Sequence, residues 1–245
     1  MAIAYLPIDI DIRLPDEEKL LAYCDKHKLP KIKDSNDTVE YWDLVPVIGR
    51  LNSEQWHNLP YARNVLFNRY VPNMGECQWA NDIDKEFPEI PYMLNQLPFS
   101  ELTMVTMMIQ RTYVASHMDP HLGDVVPDPY EISIENEPHR YNIQLTQHGK
   151  NAYFVQETKH SEKIFPKITR EQPCFAFCER YHYHGSEYVG ENKIQLSVFG
   201  IVDRIKHKDM IIKNLIKHRD NAIIFPDPEN PWDPKYQHDS YDNSR

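Results

Sequence analysis

The feature that most constrains this chain is a change of character near residue 102. Beyond it, five stretches rich in β-branched, aromatic and other apolar residues follow one another: 102–119 (LTMVTMMIQRTYVASHMD), 139–147 (HRYNIQLTQ), 151–158 (NAYFVQET), 174–185 (CFAFCERYHYHG) and 193–203 (KIQLSVFGIVD). Strand-like stretches joined by loops, without alternating helices, favour an antiparallel sandwich or barrel. With 7 glycines against 19 prolines, the turns must be made mostly by Pro, Asn and Asp.

The first hundred residues read differently, as helical segments between proline-rich connections, with no cluster of reactive side chains. Residues 16–28 place Leu20, Leu21, Cys24 and His27 at helical spacing behind an acidic first turn, which suits the positive end of a helix dipole. Further helices are expected over 53–66, interrupted by Pro60, and over 83–96. After the strands, residues 205–220 put Met210, Ile211, Leu215 and His218 on one side of an amphipathic helix. The organisation expected is a helical supporting region over 1–100, a β core with its C-terminal helix over 101–225, and a polar, proline-rich tail over 226–245.

Composition excludes several classes. Apolar residues at 41% and aromatics at 11% are too many for a disordered chain, and no uncharged apolar run approaches the roughly 20 residues of a membrane span. The net charge of −10 argues against broad binding to nucleic acid, which needs clustered Lys and Arg; the one basic stretch is 204–219. Four cysteines in 245 residues, with no apolar leader in MAIAYLPIDIDIRLPDEE, predict reduced thiols and a cytoplasmic protein.

Two constellations could carry chemistry. In His117-Met118-Asp119 an extended chain projects imidazole and carboxylate to one face, where they can occupy adjacent positions on a metal ion. The pattern alone is weak. His182-Tyr183-His184-Gly185, on a distant strand, offers a third ligand and completes two histidines and one carboxylate, the set that holds ferrous iron while leaving positions open. Either His182 or His184 satisfies that pattern, since both lie on one face. Arg140 and Lys193 each open a strand and could pair with an anion. Counting by twos places Arg111, Tyr113, His117 and Asp119 together, and Arg140, Asn142 and Gln144 opposite Tyr141, Ile143 and Leu145. His121, after Pro120, reads as a loop residue; Cys174, Cys178 and the methionines at 104, 107 and 108 read as packing; Tyr181, Tyr183 and Tyr188 could line a mouth.

In this combination the sequence resembles the iron(II)- and 2-oxoglutarate-dependent oxygenases, and within them the aspartyl/asparaginyl β-hydroxylase-like branch. The likeness runs over about residues 86–203: FPEIPYMLNQLPF, a strand ending SHMD, then HRYNIQL, YHYHGSEY and NKIQLSVFGIVD. It implies an α+β fold with a mainly β core, a double-stranded β-helix (jelly roll, cupin-like) with flanking N-terminal helices and a C-terminal helix. It also implies that His117, Asp119 and His184 ligate Fe(II), with His184 preferred over His182 because H-G-S follows the late iron histidine in related enzymes. Lys193 would bind the far carboxylate of 2-oxoglutarate and Arg140 its other end, with Asn142 nearby. The family's usual arginine is a lysine here, which keeps the charge and loses the bidentate fork. Asp119 disfavours a halogenase, because halide needs that position vacant. The implied reaction consumes O2 and 2-oxoglutarate, releases succinate and CO2, and hydroxylates a C–H bond of a peptide side chain or small molecule in preference to a nucleobase. The alternative is a non-catalytic metal- or ligand-binding barrel of the same shape.

Overall fold

The computed structural model describes residues 2–29, 42–49, 77–110, 112–117, 140–148, 150, 152–177, 182–188, 190 and 192–226. In chain order the elements are β1 (Ala2–Pro7), α1 (Glu17–His27), β2 (Trp42–Gly49), β3 (Gln78–Trp79), α2 (Ile83–Glu86), α3 (Glu89–Leu94), β4 (Phe99–Gln110) and β5 (Val114–His117). There follow β6 (Arg140–Gln144), β7 (Tyr153–Gln156), β8 (Cys174–Phe177), β9 (Tyr183–Ser186), β10 (Lys193–Val202), α4 (Arg204–Lys217) and β11 (Ile223–Phe225). The strands form two antiparallel sheets, one in the order β11-β1-β8-β6-β10-β4-β2-β3 and the other β5-β9-β7. From β4 to β10 each successive strand crosses to the other sheet.

Alternation along the central strands of the large sheet gives it two unlike faces. Val105, Met107 and Ile109 of β4, Tyr141 and Ile143 of β6, and Ile194, Leu196 and Val198 of β10 point one way, into a core with the four helices. Those helices contribute Leu20, Tyr23 and Cys24 from α1, Ile83 from α2, Ile90 and Met93 from α3, and Ile211 from α4. The opposite face turns toward the small sheet, where Tyr5 and Phe175 pack with Tyr153 and Val155. The ring centroids of Tyr153 and Phe175 lie 5.1 Å apart across the gap between the sheets.

The helix expected over 16–28 forms as α1, capped by Asp16, whose carboxylate accepts from the Lys19 N–H at 3.0 Å, with Glu17 and Glu18 in its first turn. Asp16→Ala should therefore lower unfolding free energy by about 1 kcal/mol, read by urea denaturation, because an amide of the first turn loses its acceptor. An unchanged midpoint would contradict that role for the cap.

Elsewhere the chain departs from the sequence reading. The segment over 83–96 is broken into α2 and α3, because Pro88 disfavours helical backbone at Phe87, while Pro91 is tolerated in the first turn of α3. The helix expected over 53–66 lies outside the described residues, as does the tail from 227 onward. The first hundred residues also hold three strands of the large sheet, β1, β2 and β3. β1 and β2 are short runs buried on both faces, so they lack the period-two signature of a half-exposed strand, and β3 is only the two residues Gln78 and Trp79. In β2 the signal is weakened further by Pro46, which sits where the register with β4 shifts.

The stretch read as one strand over 102–119 is two, β4 in the large sheet and β5 in the small one. Parity cannot be carried through that crossing, and it is broken again by a register shift between Val114 and His117. Tyr113 is exposed, and Arg111 lies outside the described residues. Likewise 174–185 divides into β8 and β9, on opposite sheets. The C-terminal helix forms as α4, burying His207, Ile211 and Asn214, with Met210 and Leu215 against the core. Among the described residues no helix is long and apolar enough to cross a membrane.

Candidate active site

The histidines of the two motifs meet in the small sheet. β5 ends at His117, and its antiparallel register sets His117 directly opposite His184 of β9. The two rings lie 4.5 Å apart, centroid to centroid, at 49°. The Nδ1 of His117 is 2.8 Å from the Ala115 carbonyl. A carbonyl only accepts, so this contact puts the proton on Nδ1 and the lone pair on Nε2, the arrangement typical of a metal-binding imidazole. His182 is fully buried, its ring 5.9 Å from His184 and 6.2 Å from Phe225 of β11. Asp119, His121, Cys178 and Tyr181 lie outside the described residues. Among the described residues no three His, Cys, Asp or Glu side chains converge as a metal-binding group.

Strand alternation makes Gly185 face away from the interior, while His184 and Ser186 face in. A β-carbon at Gly185 would stand 2.5 Å from Phe154 Cζ and 2.6 Å from the Val114 carbonyl oxygen. Gly185→Ala should thus lower stability by about 1–3 kcal/mol through overpacking and loosen the β5–β9 pairing that faces His117 with His184. Denaturation at the wild-type midpoint would contradict this.

From the large sheet comes Lys193, the first residue of β10. Its side chain is 4% exposed, and its ammonium donates to the Ser186 hydroxyl at 2.9 Å, bridging the two sheets. Among the described residues it has no carboxylate partner, and burial alone pushes it from an ordinary 10.5 down to about 7. The register places Gln110 beside it on β4. The Gln110 amide donates to the carbonyls of Thr112 and Glu187, at 2.5 and 3.0 Å, tying the β4–β5 crossing to the end of β9.

Arg140 and Asn142 share the same face of the large sheet on β6. Arg140 is buried, donates from Nε to the Ser197 hydroxyl at 2.9 Å, and holds its guanidinium 4.6 Å from the Phe199 ring centre. Asn142, opposite Ser197 and Phe175 in the register, is 1% exposed, and its Oδ1 has no hydrogen-bond partner among the described residues. The interior is therefore an apolar end of Tyr5, Phe175, Tyr153 and Val155, continuous with a polar wall carrying two cations. Ser197 stands four residues from Lys193 along β10, a separation of about 13 Å at the usual strand rise.

Sequence reasoning placed Arg140, Asn142 and Lys193 on strands and grouped Arg140 with Asn142. It missed Ser186, Ser197, Gln110, Tyr153 and Phe199. Ser186 is two residues from His184 and Ser197 four from Lys193, so extending the parity count by one step in β9 and by two in β10 finds them. Gln110 carries no such signal, because its role arises where the chain changes sheets.

No protein-family model matches the chain, and no curated protein does. Several solved structures show similarity. One is an oxidoreductase of the 2OG-Fe(II) oxygenase family from Burkholderia pseudomallei, at 13% identity over 75% of this chain and 78% of that one, with a TM-score of 0.36. Another is the non-heme alpha-ketoglutarate-dependent carbocyclase SnoK from nogalamycin biosynthesis, at 12% identity over 85% and 86% of the two chains, with a TM-score of 0.37. A third is the viral collagen prolyl hydroxylase vCPH of Paramecium Bursaria Chlorella virus-1 in its 2OG complex, at 14% identity over 65% and 94%, with a TM-score of 0.27.

Proposed function

We propose that this protein is an iron(II)- and 2-oxoglutarate-dependent dioxygenase that hydroxylates a C–H bond of a peptide side chain or small molecule. The observation that carries the reading is Lys193: an ammonium buried in the interior, joined to the Ser186 hydroxyl and to no carboxylate among the described residues. Burial disfavours a charge unless a counter-charge arrives, so the position is suited to an anion delivered by a ligand. Arg140 supplies a second buried cation further along the same wall. A five-carbon dicarboxylate spans roughly 5 Å between its end carbons, and charge-assisted contacts add about 3 Å at each end.

The donor set fits iron(II). His117 and His184 face one another as neutral imidazoles can, and Asp119 would add the carboxylate of a two-histidine facial triad. When bound there, iron(II) supplies the activation of O2 that couples conversion of 2-oxoglutarate to succinate and CO2 with substrate hydroxylation. The chain's own residues orient and exclude. Lys193 fixes the far carboxylate with Ser186 positioning its ammonium, Arg140 and Asn142 address the other end, and Tyr153 and Phe175 keep water from the dicarboxylate's carbon chain. The alternation of β4 to β10 between facing sheets supports a double-stranded β-helix, and the order of SHMD, RYNIQL and YHYHGSEY supports the aspartyl/asparaginyl β-hydroxylase-like branch. Cys24, Cys77 and Cys174 as thiols suit a reducing, cytoplasmic setting.

The test is conversion of 2-oxoglutarate to succinate by the purified protein with iron(II) and O2, followed by NMR, in the wild type and in Lys193→Met. The expected result is slow uncoupled succinate formation that Lys193→Met removes. Iron-dependent 2-oxoglutarate binding with no succinate formed would turn the reading toward a ligand-binding barrel.

A further inference from the structure

Helix α4 carries a second apolar stripe that the fold leaves uncovered. Its inward face, His207, Ile211 and Asn214, is buried, with Met210 and Leu215 at the margin of the core. Directly opposite, Ile205, Ile212 and Ile216 fall within one narrow arc at about 100° per residue, and they are 76%, 46% and 76% exposed. Single exposed isoleucines are ordinary; three aligned on the outer face of one helix mark a surface that something covers. The stripe is set in positive charge. Arg204, Lys206, Lys208, Lys213 and Lys217 share the helix with Asp209 as its acidic residue, and Arg219 follows in the next turn. Lys206 and Lys217 pair with Asp203 and Asp9, but Arg204, Lys208, Lys213 and Arg219 have no acidic partner among the described residues.

We propose that the chain's own C-terminal segment, residues 227–245, docks on this face of α4, its aromatic residues on the isoleucine stripe and its carboxylates on the flanking cations. The segment carries Asp227, Glu229, Asp233, Asp239 and Asp242 against Lys235 and Arg245, with Trp232, Tyr236 and Tyr241 interspersed, so its charge and apolar content complement those of the helix. It begins where β11 ends, one short turn and one short strand after α4. Extended, it reaches on the order of 60 Å, ample for a helix about 21 Å long. Tethering converts docking into an intramolecular event at effective concentrations of about a millimolar, so modest contacts suffice. A second copy of the chain is the weaker occupant, because it would bring one cationic helix against another.

The test uses the full chain with the photo-crosslinker p-benzoylphenylalanine in place of Ile212 and, separately, Ile216, irradiated at low micromolar concentration and mapped by mass spectrometry. The expected product at both positions is an intramolecular crosslink to a peptide within 227–245. Its yield should fall about tenfold when Asp227, Glu229 and Asp233 are replaced by Lys, and also in high salt, where exposed charges are screened. A covalent dimer as the main product would assign the face to a second copy and overturn the proposal. Crosslinks confined to other segments, or none, would also overturn it. Unfolding midpoints of the crosslinker variants, matched to the parent, establish that the fold was intact.

Discussion

His184→Ala is expected to yield a folded protein that has lost its iron(II) and its turnover together. The residue faces His117 across the β5–β9 pair, and in the proposed site its removal deletes one of three protein donors. Loss of residues that merely support metal ligands already costs 10–100-fold in affinity, so loss of the ligand itself should exceed about 100-fold. Stability should change less than it does at His182, because the buried His184 ring borders the half-exposed His117 and its loss opens toward that side. His182→Ala should show the reverse pattern. That imidazole is fully buried against Phe225, so its deletion leaves a cavity where β9 approaches β11, lowering stability while iron is retained. Anaerobic iron titration and denaturation on the same two variants separate the roles. Iron held by His184→Ala and lost by His182→Ala would exchange the assignments.

Lys193 gives the second large effect, and its sign differs between the free and liganded protein. Burial holds the ammonium near 7 against an ordinary 10.5. Between those values the unfolded chain binds more protons than the folded one, so stability of the unliganded protein should rise as pH climbs from about 7 toward 10.5. A bound dicarboxylate favours the charged form and raises it again. Above about pH 7, therefore, 2-oxoglutarate binding must take up a proton, and its affinity should weaken as pH rises, approaching tenfold per unit. Lys193→Met should abolish the slope, reduce affinity at neutral pH by about 100-fold or more, and stabilise the unliganded protein, since a buried charge without a counter-charge is replaced by an apolar chain of similar length. Lys193→Arg should bind with little dependence on pH in this range, because guanidinium stays charged. Calorimetric titrations from pH 6.5 to 9 read all three. Wild-type affinity that is flat across that interval would contradict an anchoring role for this lysine.

How much of this was legible beforehand depended on how local the signal was. In RYNIQL the period of two suffices: Tyr141, Ile143 and Leu145 go to the helix-side core, and Arg140, Asn142 and Gln144 to the other face. α1 and α4 were legible from apolar spacing, and α1 also from its acidic first turn, because those forces act within a few residues. What failed was everything decided by distant pairing. The passage from β4 to β5 looks like one continuous strand because both halves are extended and apolar; only the competing sheets decide that it must cross. β11 was invisible for a related reason, being three residues stabilised by pairing with β1 at the far end of the chain. In the candidate site the histidines could be grouped by residue type, but their facing geometry depends on a register shift between Val114 and His117 that no count by twos contains. The burial of Lys193 was equally hidden, since a lysine opening a strand is more often at a solvated edge.

In the proposed site, iron(II) held by His117 and His184 and 2-oxoglutarate anchored by Lys193 occupy one interior. The most direct measurement is anaerobic visible spectroscopy of the iron-loaded protein titrated with 2-oxoglutarate, watching for the metal-to-ligand charge-transfer band that requires the keto acid on the metal. The band is expected to grow to saturation in the wild type, to be absent in His184→Ala at every concentration, and in Lys193→Met to form only at about 100-fold higher 2-oxoglutarate. Iron-loaded wild type that binds 2-oxoglutarate with no such band, or a Lys193→Met variant that saturates with the wild type, would contradict it.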